Sequence, residues 1–374
     1  MREIQLYLHI PFCIRKCGYC DFLSGPADER AQRAYTEALL REIRVLGQRT
    51  EAAVSTVFIG GGTPSVLRAD WMEEILDQLR ASFRLLPEAE ISMEANPGTV
   101  TPEKLKAYLR GGVNRISFGC QSADNEELRL LGRIHSWEEF LESFSMAREA
   151  GFANINVDLM SGLPNQTAAS WERTLRRTAA LGPEHISAYS LIIEEGTPFA
   201  QRPLPLPDEE EERLMYERTG QILKEYGMEQ YEISNYARPG YACRHNIGYW
   251  TGKEYLGMGL GSSSLMEGER FSNTSDMKEY LEDSGHPGRL RRDRQKLSEK
   301  DRMEEFMFLG LRMTAGISEK DFLDTFGREI HTVYGSVIRK YVEGGFLGEE
   351  KGRLYLTRKG ISVSNPILAD FLLD

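Results

Sequence analysis

Short runs of β-branched and aromatic residues alternate with longer windows of helical apolar spacing, from the start of the chain to about residue 226. This alternation predicts βαβ units around a parallel sheet. The predicted strands cover residues 5–10, 56–59, 90–94, 115–119, 154–160 and 185–191. The predicted helices cover residues 31–46, 70–83, 102–110, 137–150, 168–181 and 209–226. Six units are two short of a closed eight-unit barrel, so we expect an α/β fold with an open, partial (β/α)6 barrel.

Beyond the sixth helix the pattern changes. Residues 201–208 form a proline-rich connector, and residues 285–294 have the composition of a linker. A terminal module follows, with predicted helices at 301–313, 319–326 and 331–344 and a hairpin around 353–357, an arrangement that resembles a winged helix. We therefore expect the barrel in residues 1–230, an extension of it with the linker in residues 231–290, and a C-terminal winged-helix-like domain in residues 295–374.

Charge argues against nucleic acid as a partner. The chain has 374 residues and a net charge of -11, which gives no reason to expect binding to phosphate backbones or anionic lipid. A winged helix often binds DNA, but residues 296–374 contain 12 Lys and Arg against 13 Asp and Glu. Within this module Met303, Phe306, Met307 and Leu311 recur at helical spacing and are expected in its core. We expect the module to dock a protein or cover a pocket.

Three of the five cysteines, Cys13, Cys17 and Cys20, lie within eight positions near the N-terminus, with C-x3-C-x2-C spacing. Thiolates are soft ligands, and such crowding is typical of iron-sulfur sites. Because no fourth cysteine is nearby, three ligands on a four-iron cluster would leave one iron open to a small molecule.

Two other uses of these thiols are less consistent with the pattern. A Cys3His zinc site that includes His9 would favour C-x2-C spacing and a second, distant pair of ligands. Disulfides are not suggested either, because three crowded cysteines and two distant single ones do not form a regular pairing pattern. In addition, no charged-then-apolar signal segment precedes Tyr7. We therefore expect a cytoplasmic protein with reduced thiols.

Conspicuous residues follow the predicted strands, where ligands bind in parallel α/β folds. The cysteines follow the first strand, Gly60-Gly-Gly-Thr-Pro64 follows the second, and Glu94 ends the third. Gln121 follows the fourth strand, Asp158 lies in the fifth and Tyr189 in the sixth. We expect one pocket to contain all of them.

Each of these residues has a functional and a structural interpretation. The three glycines would let the ammonium and carboxylate of an amino acid approach backbone N–H and C=O groups closely. Alternatively, they form only a tight turn. Glu94 would accept hydrogen bonds from ribose hydroxyls or an ammonium group, or cap a strand end. Gln121, Arg133 and Asp158 would bind a second ligand or its carboxylate, although each alone is more often structural.

The cysteine triad, with Tyr19 before its last member, resembles the radical S-adenosylmethionine superfamily. A more specific resemblance, to the family that contains oxygen-independent coproporphyrinogen III oxidase, covers most of the chain. It rests on Tyr7-x-His-Ile-Pro-Phe-Cys13, Gly60-Gly-Gly-Thr-Pro64, Glu94, Gly119-x-Gln-Ser122, Asp158-Leu-Met-x-Gly-Leu-Pro164, Gln166-Thr167 and Gly257-x-Gly-x-Gly261. The resemblance implies a 4Fe-4S cluster with S-adenosylmethionine against Tyr7, Tyr19, Gly61, Gly62 and Glu94. It also implies a second S-adenosylmethionine around Gln121, Arg133 and Asp158.

Two departures distinguish this chain from the oxidase. The oxidase pattern is C-x3-C-x2-C-x-C after a longer N-terminal extension, whereas this chain has Phe22 at the fourth position and begins six residues before Tyr7. In addition, His245-Asn-Ile-Gly-Tyr-Trp250 is the H-N-x-x-Y-W sequence typical of the heme-chaperone branch. We therefore expect heme binding and delivery. Oxidative decarboxylation of coproporphyrinogen III is the alternative, and a non-catalytic iron-sulfur interaction protein is a third hypothesis.

The H-N-x-x-Y-W motif offers groups that could hold heme. The His245 imidazole is a candidate axial ligand, and Tyr249 and Trp250 offer flat surface to a macrocycle. The alternative is a core turn in which His245 and Trp250 satisfy buried hydrogen bonds. Cys243 is a second candidate ligand, although it and Cys120 are more simply packing residues. The expected partners are heme and heme-accepting apoproteins, respiratory ones among them. A homodimer and membrane association through a partner are compatible with the sequence.

Overall fold

A single twelve-stranded sheet dominates the computed structural model, which describes residues 2–373. Its strands are β1 (Glu3–Ile10), β2 (Ala53–Gly61), β3 (Arg84–Ala95), β4 (Arg115–Gln121), β5 (Ile155–Ser161), β6 (His185–Ser190), β7 (Glu229–Gln230), β8 (Asn235–Ala237), β9 (Tyr255–Met258), β10 (Ser263–Met266), β11 (Glu269–Asn273) and β12 (Arg291–Lys296). Their order is β12-β11-β10-β9-β1-β2-β3-β4-β5-β6-β8-β7. Strands β1 to β6 are parallel neighbours in chain order, which confirms the six predicted units.

The helices of this part are α1 (Glu29–Gly47), α2 (Ala69–Ser82), α3 (Pro102–Arg110), α4 (Asn125–Leu131), α5 (Trp137–Ala150), α6 (Ala168–Ala179), α7 (Glu209–Glu225), α8 (Arg244–Trp250), α9 (Met277–Asp283) and α10 (Pro287–Leu290). Side-chain caps fix several of their starts: Asp28, Thr101 and Ser136 each accept a hydrogen bond from the backbone three residues on. The predicted and observed bounds of α3 and α5 coincide.

The sheet extends beyond the six predicted strands on both sides. Strand β9 adds parallel to β1, and β10 to β12 continue antiparallel, whereas β8 and β7 add antiparallel beyond β6. Residues 285–294, expected as a linker, instead form α10 and most of the edge strand β12. The charged sequence 291–296 pairs with β11 on one side only, so its side chains can remain exposed, as is common for edge strands.

Register along β1 and β2 divides the barrel interior into layers. Gln5 pairs with Thr56, Tyr7 with Phe58 and His9 with Gly60. These side chains face the interior, because the alternate residues Leu6 and Leu8 belong to the apolar core under the helices. The Gln5 layer therefore lies toward the amino ends of the strands, and the His9 layer lies at their carboxyl ends.

The C-terminal part has its own core. It contains α11 (Glu299–Gly310), β13 (Ile317–Ser318), α12 (Glu319–Phe326), α13 (Ile330–Glu343), β14 (Leu347–Glu350), β15 (Arg353–Leu356), α14 (Arg358–Ile361) and α15 (Ser364–Ala369). The hairpin β14–β15 turns at Lys351 and Gly352, which have φ of 54° and 71°, as in a primed two-residue turn. Met303, Met307 and Leu311 are in this core as predicted, whereas Phe306 is only half-buried.

Candidate functional site

The three clustered cysteines lie in the segment between β1 and α1. A backbone hydrogen bond from Cys13 N to Gly25 O (3.0 Å) joins the two ends of this segment, and bonds from Gly18 N to Leu131 O (3.2 Å) and from Phe199 N to Gly18 O (3.0 Å) fix it to the rest of the barrel. All three cysteines are half-buried free thiols. The backbone that carries the three thiols is therefore fixed in position by hydrogen bonds.

Hydrogen bonds connect two of the thiols through side chains from the segments that follow β2, β3 and α4. Thr63 Oγ1 donates to Cys13 Sγ at 3.5 Å and accepts from Asn96 Nδ2 at 2.8 Å. Arg133 donates to Asn96 Oδ1 at 2.8 Å and to Cys17 Sγ at 3.6 Å. The resulting chain Cys13–Thr63–Asn96–Arg133–Cys17 brings a guanidinium and a hydroxyl to the sulfurs, and such donors stabilise thiolate ligands.

The spacing of the thiols does not fit one small ion. Tetrahedral zinc with bonds of about 2.3 Å places its sulfur ligands about 3.8 Å apart. Among residues 2–373, the one group of three or more Cys, His, Asp or Glu side chains with ligand atoms all within 4.8 Å is Glu319, His331 and Glu349, so the three cysteines are farther apart. His9 is not a spare ligand either, because its Nε2 donates to Leu23 O (2.8 Å) and its Nδ1 accepts from Tyr7 (3.0 Å). These observations favour a cluster over the zinc alternative.

The glycines after β2 accommodate the cysteine segment rather than leaving an open cradle. A Cβ on Gly61, which has φ of 109°, would lie 2.4 Å from the His9 ring, and one on Gly62 would lie 2.6 Å from Phe12 O. Their amides are also occupied: Gly61 N donates to Glu94 (3.0 Å) and Gly62 N to Ile10 O (2.8 Å). These two amides are therefore engaged within the protein, because β1 and the cysteine segment pack directly against this turn.

Two carboxylates line the interior behind the cysteines. Burial raises the pKa of Glu94 to about 7, with a further contribution from the nearby Asp158 carboxylate. Asp158 accepts hydrogen bonds from Ser117 (3.0 Å) and Asn156 (2.7 Å), and burial raises its pKa. Glu94 has one hydrogen-bond donor, Gly61, within residues 2–373, so most of its accepting capacity is available to a ligand.

Gln121 and Arg133 meet at the end of β4. Gln121 has φ of 70°, a left-handed conformation that costs energy for a residue with a side chain. A Cβ on Gly119 would lie 2.9 Å from Asn96 Oδ1, 3.1 Å from Gln121 Nε2 and 3.3 Å from the Arg133 guanidinium. Only glycine therefore leaves room for the three polar groups to converge beside Cys17.

Two tyrosines expected in the pocket occupy its border. Tyr19 packs with Phe199, and their ring centroids are 6.3 Å apart, in a small apolar cluster with Leu131 and Leu163. That cluster holds the cysteine segment on the loops after β5 and β6. Tyr189 is 40% exposed at the end of β6.

His245 lies at the other end of the barrel, in the Gln5–Thr56 layer. It is 1% exposed, its Nδ1 hydrogen-bonds Thr56 Oγ1 (2.7 Å) and its Nε2 hydrogen-bonds Tyr249 OH (3.0 Å). Its amide donates to Glu90 (3.2 Å) and its ring stacks on Phe58. The expectation that His245 offers a free nitrogen to iron is wrong for this arrangement, because both ring nitrogens are engaged and α8 closes the amino end of the barrel.

The other motif residues divide between core and surface. Cys243 and Cys120 are fully buried, with Cys243 Sγ 3.4 Å from Glu90 and Cys120 Sγ 3.3 Å from Ser122 O, so both are packing residues as expected. Trp250 is five residues after His245, about 140° around the helix, and faces away from the barrel interior toward the C-terminal part.

Several interior residues were not singled out from the sequence. Asn96 and Thr63 lie inside motifs that were noted for their neighbours, Glu94 and the glycines. Arg115 opens β4, is 2% exposed, and lies close enough to the Glu90 and Asp158 carboxylates for them to raise its pKa. A charged residue at the start of an apolar strand was the available signal for it. Within residues 2–373, no helix combines the length and apolar character needed to cross a bilayer.

Comparison with known proteins agrees with this geometry. The model of the radical SAM superfamily matches residues 7–178, and that of the HemN C-terminal domain matches residues 297–363. The solved coproporphyrinogen III oxidase (HemN) of Escherichia coli has the same fold, with a TM-score of 0.87, 24% identity, and coverage of 99% of this chain and 90% of that one.

Relatives are similar over nearly the whole length. The heme chaperone HemW of Bacillus subtilis is 37% identical, covering 98% of both chains, and that of Escherichia coli K12 is 35% identical, covering 99% of this chain and 98% of the relative. The mitochondrial radical S-adenosyl methionine domain-containing protein 1 of Danio rerio is 31% identical over 100% of this chain and 87% of its own. Identity of this level extends over both the barrel and the C-terminal part of the chain. The chain belongs to the heme chaperone HemW family.

Proposed function

We propose that Cys13, Cys17 and Cys20 hold a 4Fe-4S cluster. The observation that supports this most is the hydrogen-bond chain that brings Thr63 and Arg133 to two of the three half-buried thiols. Donors aimed at sulfur offset the negative charge of a thiolate-bound cluster. With three protein ligands, such a cluster would supply an electron and one open iron position.

S-adenosylmethionine is the proposed ligand at that position. The carboxylate of Glu94, which has one protein donor among residues 2–373, is suited to accept from its ammonium group or ribose hydroxyls. Tyr7, Tyr19, Gly61 and Gly62 would border this site, as the family resemblance implies. Gln121, Arg133 and Asp158 belong to the same interior, and we propose them as contacts of a second molecule or of the carboxylate of the first.

The cluster assignment is tested on protein purified without oxygen. We expect about four iron and four sulfide per chain, and Cys13→Ala, Cys17→Ala or Cys20→Ala should each abolish them. Cys243→Ala is the matched control, because this thiol is buried far from the segment and should leave the iron content unchanged. Stoichiometric zinc without sulfide would refute the assignment.

We propose further that the protein is a heme chaperone that binds heme and transfers it to acceptor apoproteins. Support comes from the full-length similarity to proteins named heme chaperone HemW and from Phe22 at the position of the fourth cysteine in the oxidase pattern. A respiratory acceptor, a homodimer, a cytoplasmic location and membrane contact through a partner remain predictions from the sequence.

The chaperone and the decarboxylase hypotheses give opposite results with two ligands. Reconstituted protein should bind heme in near-equal ratio, followed by the Soret band, and should pass it to a heme-free acceptor. The same preparation should leave coproporphyrinogen III unchanged. Turnover of coproporphyrinogen III with an intact cluster would favour the decarboxylase, and the absence of heme binding would refute the chaperone proposal.

A further inference from the structure

A cleft separates the extension of the barrel from the C-terminal core. Its volume is about 710 Å³, within the range of about 300–1,000 Å³ that is usual for organic ligands. One wall contains Trp250 of α8 and Leu265 of β10, and the other contains Phe306, Leu309 and Met313. The cleft lies beyond α8, at the opposite end of the barrel from the cysteines.

The cleft is lined by aromatic and aliphatic side chains that the neighbouring cores leave half-exposed. Phe306 is half-buried although Met303 and Met307 of the same helix are buried. Leu309 is half-buried and packs in neither apolar core. The Trp250 indole N–H is buried and has no hydrogen-bond partner within residues 2–373. Because this donor is already shielded from solvent, Trp250 offers the cleft the flat surface of its half-buried ring rather than a hydrogen bond.

Most of the acidic side chains in the cleft lining are paired with cations. Of its acids, Glu254 and Glu267 pair with Arg2 (2.6 and 3.0 Å) and Glu305 pairs with Arg270 (2.8 Å), whereas Asp321 has no cation within 4.0 Å among residues 2–373.

The cations of the cleft have no acidic partner. Lys296 donates to Glu267 O, Arg353 donates to Ala315 O and Gly316 O, and Arg302 lies over the Phe326 ring. None of the three lies within 4.0 Å of a carboxylate of residues 2–373. These cations are therefore available to carboxylates of a ligand.

We infer that this cleft is the heme site: the apolar walls would take the macrocycle, with Trp250 against one face, and Arg302, Arg353 and Lys296 would bind the propionates. The inference rests on the proposed chaperone function and names its site. The lining includes no histidine and one thioether, Met313, so the cleft holds heme by its faces and carboxylates more than by iron ligation. Such binding suits a protein that must release the ligand.

The test compares heme dissociation constants of the full chain with its cluster intact. Arg302→Glu reverses a propionate partner on the surface, and Leu309→Glu places a carboxylate on the apolar wall. Each should weaken heme binding about ten-fold or more. Lys320→Glu is the matched control: it is an 80% exposed residue of the same domain outside the cleft lining, and it should bind as the wild type does.

The outcomes separate this inference from the function on which it rests. Wild-type protein that binds no heme would refute the chaperone function itself. Wild-type binding that both variants retain, with unchanged iron content and thermal unfolding, would refute the cleft alone and direct the search to another surface. Weakening in both variants with an unaffected control supports the cleft.

Discussion

Asn96 joins the two halves of the cysteine network. Its side chain donates to Thr63 and accepts from Arg133, so each of these two is oriented toward a sulfur by the same amide. The glycines also have an indirect effect, because the absence of a side chain at Gly61 and Gly119 leaves space for His9 and for Asn96. Residues that position others in this way are hard to recognise in a single sequence, since no side-chain chemistry marks them.

Replacing Asn96 with Ala should change the cluster without removing it. Thr63 would lose the amide that orients it, and Arg133 would keep only one of its two oxygen partners, Gly119 O (2.6 Å). Weaker donation to sulfur destabilises the more negative, reduced cluster. A loss of about 1 kcal/mol per hydrogen bond corresponds to roughly 40 mV for one electron, so the midpoint potential should become more negative by about that amount. Redox titration followed by EPR measures the change.

The control for this variant is Asn114→Ala, which also removes an asparagine bound to β3, through Ile91 N and Ala89 O, but at the amino end of the barrel. It should lower stability without shifting the potential. Equal potentials for wild type and Asn96→Ala would show that Asn96 has only a structural role.

His245→Ala should reduce stability and leave heme binding intact. Loss of the imidazole removes the hydrogen-bond partner of the Tyr249 hydroxyl and leaves the Thr56 hydroxyl with Gln5 alone (3.0 Å), at a cost of about 1–3 kcal/mol. Because the ring nitrogens are engaged and buried, the heme dissociation constant should stay within about two-fold of the wild type in protein that remains folded. Loss of the Soret band in folded protein would restore His245 as a ligand and would contradict this structure.

At the scale of elements, hydrophobic periodicity was sufficient for the barrel. All six predicted strands and their helices exist, because buried apolar strands and amphipathic helices have the clearest patterns. The additional strands β7 to β12 were missed, since they are short, partly polar and paired at the edges of the sheet. The cysteines and the strand-end residues were predicted together, whereas the position of α8 at the opposite end depends on tertiary packing that periodicity does not describe.

Glu42 of α1 links the barrel to the additional strands that lie beside β1. Its fully buried carboxylate accepts from Gly259 N (2.8 Å), Asn273 Nδ2 (2.7 Å) and Tyr280 OH (2.7 Å). Burial raises its pKa from 4.5 to about 7, so the folded protein retains this proton at pH values where the unfolded chain has lost it. The stabilisation of the folded protein that comes from this raised pKa is therefore fully present below pH 4.5 and is lost as the pH rises through 7.

We expect this group to lower the free energy of unfolding by about 3 kcal/mol between pH 4.5 and 7. Glu42→Gln cannot ionise and should flatten that part of the profile, whereas Glu142→Gln, at an exposed position on α5, should keep it. Urea unfolding at pH 5, 6 and 7 gives the comparison. A profile of equal slope in Glu42→Gln would show that the carboxyl does not titrate in this range.

The whole molecule separates its two candidate ligand sites along the barrel axis. The cysteine segment follows the His9 layer, whereas α8 closes the barrel at the Gln5 layer and turns Trp250 toward the cleft. Six residues of strand, from Gln5 to the start of the cysteine segment, span roughly 20 Å. Between the two ends lies a row of aromatic rings, Tyr7, Phe58, His245 and Tyr249, with successive centroids 4.8 to 6.4 Å apart.

This separation predicts that heme and S-adenosylmethionine bind at the same time. Saturating S-adenosylmethionine should change the heme dissociation constant by no more than about two-fold. By linkage, heme should change the dissociation constant of S-adenosylmethionine by the same small factor. Arg302→Glu should weaken heme binding alone, and Glu94→Ala should weaken S-adenosylmethionine binding alone while the absorption of the cluster persists. Soret titrations of reconstituted protein with and without S-adenosylmethionine measure this.

Displacement of one ligand by the other would mean that both occupy one end of the barrel. A large mutual effect on the two dissociation constants without displacement would mean that the aromatic row couples the two ends.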